Sequence, residues 1–134
     1  MKDVTAKVTP GDATVFVDGF RWESLNQKLR GKTAAARRGQ WAKTKRERAF
    51  ANMICRVYIG PNVALPVTIT LTRIAPRKLD TMENLAGGAK AITDGIADWL
   101  GVADNDPRVS WRYAQERGEA RQFAVRIRVQ AREA

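Results

Sequence analysis

Four apolar residues at alternate positions, Phe123, Val125, Ile127 and Val129, with Arg126 and Arg128 between them, can be satisfied by little other than a strand with one buried face. The same two-residue period runs through Val67, Ile69 and Leu71, separated by Thr68, Thr70 and Thr72. Their β-branched content supports that assignment. A third alternation, Val109, Trp111 and Tyr113, follows the loop Asp104-Asn105-Asp106-Pro107. At the start of the chain Val4, Ala6 and Val8 lead through the turn signal Pro10-Gly11-Asp12 to Val15 and Val17, which reads as a hairpin.

Between these strands lie two helical patterns. The first, from Thr33 to about Tyr58, is alanine-rich, and its second half carries Ala49, Phe50, Met53, Ile54 and Val57 as a candidate buried stripe. The second runs from about Met82 to Leu100, with Leu85, Ala89, Ile92, Ile96 and Trp99 on the buried side and Gly101 as its stop. Within it, Gly87-Gly88 costs about 2 kcal/mol relative to alanines, so either a close approach by backbone or phosphate or a tight helix-to-sheet contact is expected there. The order hairpin, helix, strand, helix, strand, strand is α+β, or mixed α/β: a small sheet of about four to five strands with two main helices packed on it, in a single domain spanning 1–134. Trp22 and Leu25 are expected to tuck against the core.

The chain has 24 Lys and Arg against 14 Asp and Glu, a net charge of +10, which makes a polyanion the leading class of partner. No apolar run approaches the roughly 18 residues of a spanning helix, and no signal-peptide core follows Met1, so a soluble cytoplasmic protein without membrane association is expected. There is no histidine and one cysteine, which excludes disulfides, zinc-finger spacings and histidine bases. Cys55 is expected to be a small buried apolar residue.

Lys28, Arg30, Lys32, Arg37, Arg38, Lys43, Lys45, Arg46 and Arg48 are opposed in sequence by one acid, Glu47. A face built only for solubility mixes both signs, so this run is expected to contact phosphates and to order fully when nucleic acid arrives. Trp41, in its midst, is expected to pack rather than stack on an unpaired base. The acids gather elsewhere: Asp80 and Glu83 at the start of the second helix, Asp94 a turn beyond Lys90, and Asp104 and Asp106 in the loop after it. Such a group suits a hard cation with oxygen ligands. The same residues also suit ordinary roles, Asp80 as a helix cap, Glu83 as a first-turn acid and Lys90 with Asp94 as an i,i+4 pair. Asp12, Asp18, Glu23 and Asp98 read as solvated surface.

Pro66 to Ala75, then Leu79-Asp80, Glu83-Asn84-Leu85, Lys90, Asp94-Gly95, Leu100-Gly101-Val102 and Asp104 to Val109, resembles the RusA family of Holliday-junction resolvases, and Ser24-Leu25-Asn26 resembles its N-terminal Asn-containing region. Where the family has Asp-X-Asp-Asn, this chain has Asp80-Thr81-Met82-Glu83-Asn84. The resemblance implies a homodimeric endonuclease that resolves four-way junctions of branched DNA by paired nicks, using Mg2+, with Mn2+ as a substitute. In that reading Asp80, Glu83 and either Asp104 or Asp106 hold the metal, and Lys90 stabilises the phosphorane. The alternative is a basic module that binds branched DNA without cutting it. An anionic-membrane or RNA-associated protein is a third reading.

Overall fold

In the computed structural model, which describes residues 3–28 and 33–133, the chain forms a five-stranded sheet with helices against it, as expected of an α+β domain. The elements are β1 (Asp3–Thr9), β2 (Asp12–Asp18), α1 (Leu25–Lys28), α2 (Ala34–Tyr58), β3 (Val67–Ala75), α3 (Met82–Gly88), α4 (Lys90–Leu100), β4 (Val109–Arg117) and β5 (Ala124–Ala131). The strand order is β1-β2-β5-β3-β4, with β3 and β4 parallel and every other pair antiparallel.

Register explains burial. Val15 pairs with Ile127 and Val17 with Val125, while Ile69 pairs with Val129 and Leu71 with Ile127, so the alternating residues of three strands fall on one face and are almost wholly buried. Ile54, Cys55, Leu85, Ile92, Ile96 and Trp99 cover that face from the helices. Strand β1, at the edge of the sheet, is mostly exposed.

The second helical pattern is split. Helix α3 stops at Gly88, and Ala89, at φ −87° and ψ −1°, is both its C-cap and the N-cap of α4. The cause lies in the glycine pair. An added Cβ on Gly88 would stand 1.9 Å from the carbonyl oxygen of Glu23, and one on Gly87 would meet the Leu25 side chain at 2.9 Å. The backbone of the chain leading into α1 therefore lies directly on this turn, and the close approach expected from Gly87-Gly88 is to protein.

The buried stripe of α2 differs from the expected one. Glu47, Ala51, Ile54 and Cys55 are buried, whereas Met53 and Val57 are exposed at 45% and 67%. Helix α2 meets α4 where Gly95 lies beneath Arg48 and Ala51, and that crossing selects the 47, 51, 54 and 55 face over the more hydrophobic one. Cys55 is buried as expected, and burial pushes its thiol pKa up to about 12. Trp41 is 64% exposed with the Lys45 ammonium 4.2 Å from its ring centroid, which corrects the expectation that it packs. No helix among the described residues is long and apolar enough to cross a membrane.

Candidate functional site

The acids expected to converge divide into separate groups. Thr81 caps α3 by accepting from the Asn84 amide at 3.1 Å, so the capping role open to Asp80 falls to its neighbour. Asp80 is left exposed and accepts from the Asn84 side-chain amide at 3.0 Å, and Glu83 points outward from the first turn of α3 with no hydrogen bond or ion pair among the described residues. Lys90 sits between Asp94, at 2.9 Å, and Asp104, and binds both. The hydrogen bond from Lys90 holds the Asp104 carboxyl below its usual pKa range, and the two acids together raise that of the lysine. The Trp111 indole donates to the Asp104 carbonyl at 3.0 Å and fixes the loop under this bridge.

Asp106 turns instead to Arg108, with a guanidinium contact at 2.8 Å and the Arg108 amide at 2.9 Å. These bonds, the side-chain one first, lower its pKa to about 2. The folded-state pKa is thus below the unfolded one, so the stabilisation is complete above the ordinary carboxylate value and is lost as pH falls from about 4 toward 2. In an NMR titration Asp106 is expected to have its midpoint near 2, rising toward about 4 in Arg108→Gln; an unchanged midpoint in the variant would remove Arg108 as the cause. Among the described residues no group of three or more His, Cys, Asp or Glu side chains is placed to hold a metal ion.

The basic run is also redistributed. The Lys28 ammonium turns inward to Glu47 at 3.4 Å, Lys43 pairs with Glu23, and Arg48 makes a two-pronged pair with Asp98 at 2.6 and 2.8 Å. Glu23 and Asp98, read from sequence as solvated, are these partners, and Asp12 likewise pairs with Arg128 at 2.8 Å. Arg37, Arg38 and Arg46 make no ion pair among the described residues, while Arg30 and Lys32 lie outside them. Helix α2 runs from Ala34 to Tyr58 and is capped by Thr33, which accepts from the Ala36 amide at 3.0 Å.

A different set of cations lines the concave surface. One cavity, of about 510 Å³, is bounded by Gly19, Phe20, Arg21, Lys43, Arg46, Glu47 and Phe50. A second, of about 500 Å³, lies beyond the end of β3 and includes Arg21, Arg73, Arg77, Lys78, Asp80 and Asn84. Arg21 borders both. Its guanidinium lies 4.8 Å from the Phe123 ring centroid, and neither it nor Arg46, Arg77 or Lys78 has a carboxylate partner among the described residues. The Arg77–Asp80 loop is held in place: Gln115 of β4 bonds both the amide and the carbonyl of Leu79, at 2.7 and 3.2 Å, and Arg73 donates to the Arg77 carbonyl at 2.8 Å.

The sequence reading missed Arg21, Arg73, Arg77 and Lys78. For Arg73 a signal existed, because it continues the inward positions Val67, Ile69 and Leu71 of β3, where a charge is out of place unless it serves a purpose.

No protein-family model matches the chain, and no curated protein matches it. Among solved structures it is similar to the cell wall anchor of the T6SS from Pseudomonas aeruginosa, at 16% identity, 96% of this chain, 88% of that chain and TM-score 0.41. It is also similar to the OmpA-like domain of FopA1 from Francisella tularensis subsp. tularensis SCHU S4, at 13% identity, 99% of this chain, 84% of that chain and TM-score 0.37. The comparisons thus return a cell wall anchor and an OmpA-like domain where nucleases were expected. On that finding the expectation of a junction endonuclease working as a homodimer on branched DNA is corrected, and with it the alternative of a module that binds branched DNA without cutting.

Proposed function

We propose that the chain is a binding domain for an anionic polymer, recognised by its charge along the groove from Arg46 through Arg21 to Arg77 and Lys78. The observation that supports this reading is the position of Arg21, shared by two cavities whose walls carry more cations than carboxylates. Cations without internal partners on a concave surface leave their charge available, and a chain anion lying across them releases its counterions. The resemblance to the RusA family enters this reading as a proposal about the scaffold alone. The strand, acid-Asn-Leu segment, helix and acidic loop follow one another in the family's order, and none of the cutting activity is carried with them.

Linear inorganic polyphosphate is a suitable probe, having charge and no bases or branches. Binding is expected to weaken steeply with salt, by about 0.7 in the logarithm of affinity per logarithm of salt for each phosphate neutralised, and Arg21→Glu with Arg46→Glu is expected to weaken it about a hundredfold at low salt. Equal binding by wild type and variant would refute the groove. Magnesium-dependent hydrolysis of a nucleic-acid or polyphosphate probe by the wild type would refute a role confined to binding.

A further inference from the structure

The second cavity contains a feature that general attraction to polyanions does not require. Arg73 is 7% exposed and has no carboxylate partner among the described residues. Its Nε donates to the Trp22 carbonyl and its Nη1 to the Arg77 carbonyl, both at 2.8 Å. These two neutral acceptors fix the orientation of the guanidinium plane without neutralising it. Nη2 has no hydrogen-bond partner among the described residues, and it is not one of the sealed, unsatisfied atoms of the protein. A buried charge is costly unless paired. Burial, and after it the charge of Arg21, lowers the Arg73 pKa, so both act against the cation that the fold nevertheless retains.

Arg77 and Lys78 stand exposed at the mouth of the same cavity, on the loop anchored by Gln115, and Arg21 closes the side toward the first cavity. Against four cations the wall offers one carboxylate, Asp80, which is engaged with Asn84. The excess exceeds what a singly charged group satisfies.

We infer that Arg73, Arg77, Lys78 and Arg21 form a subsite for a dianionic tetrahedral group, a phosphomonoester, so that the groove takes the phosphorylated end of its ligand there. Arg73 supplies a fixed donor from below, and the two loop cations close over the remaining oxygens. Guanidinium is suited to this role because its donors are planar and its charge is permanent. The inference rests on the anionic-polymer reading and adds an end to it.

Methyl phosphate and dimethyl phosphate at pH 8, the first dianionic and the second singly charged, are the probes, with affinity read by calorimetry. Wild type is expected to prefer methyl phosphate at least tenfold, as one additional charge-assisted contact allows. The double variant Arg77→Ala with Lys78→Ala changes only exposed side chains; it is expected to keep the wild-type melting temperature and lose that preference, and to weaken polyphosphate binding as well, though less than Arg21→Glu with Arg46→Glu does. Arg73→Lys, which keeps charge and loses the fork, is expected to lose the preference too. Equal affinity for the two esters in wild type, or an undiminished preference in the double variant, overturns the subsite. If polyphosphate still binds in those cases, the groove stands without it; if neither ester nor polyphosphate binds, the groove reading fails as well.

Discussion

Trp22→Ala is expected to destabilise the domain by about 4 kcal/mol, the middle of the range for a buried aromatic. The indole is 1% exposed, its Nε1 donates to the Leu85 carbonyl at 3.0 Å, and its ring meets that of Tyr113 edge-on at 6.5 Å. Truncation opens a cavity between β4 and α3 and leaves a buried carbonyl without its donor, two costs that add. The backbone of the same residue accepts from Arg73, so the disturbance extends to the second cavity. Urea unfolding measures it; a change below about 1 kcal/mol would mean that the indole is not a core element.

Gly95→Ala is the second large effect, expected at about 3 kcal/mol. Its Cβ would stand 2.2 Å from the Arg48 carbonyl oxygen and 2.8 Å from the Ala51 Cβ, so α2 and α4 must move apart along their main contact. Gly39→Ala is the control, since nothing lies within 4 Å of its Cβ in the exposed first half of α2. There helix propensity alone acts, and a gain of about 0.5 to 1 kcal/mol is expected. Equal behaviour of the two variants would contradict the crossing.

These two residues also show how far the sequence could be read. Strands were legible because a two-residue period has one physical solution when one face is buried, and β2, β3, β4 and β5 all lie where alternation put them. The inward residues of α3 and α4, from Leu85 to Trp99, were legible for the same reason at helical period. The stripe of α2 was not. Which face a long helix buries depends on where its partner allows close approach, and Gly95, a residue with no hydrophobicity of its own, decides it. The break at Ala89 was hidden for a related reason, since its cause is the Glu23 carbonyl, distant in sequence.

The site was less legible than the fold. Charge in a sequence says how many cations there are but not which have partners. Lys28, Lys43 and Arg48 belong to the basic run, yet each is paired with an acid, whereas Arg21 and Arg77, outside that run, have none among the described residues. The acids followed the same rule: Lys90 gathers Asp94 and Asp104, and Arg108 takes Asp106, pairings that a one-dimensional series of carboxylates does not contain. Arg73 alone announced itself, as a charge at an inward strand position.

The most direct test of the anion groove is an amide chemical-shift map recorded while polyphosphate is added. Shifts are expected to concentrate on Arg21, Arg46, Arg77 and Lys78 and their neighbours around the two cavities, and to leave Arg112, exposed on the edge strand, unmoved. Shifts spread evenly over every exposed Lys and Arg, or confined to the Arg37 and Arg38 turn of α2, would contradict it.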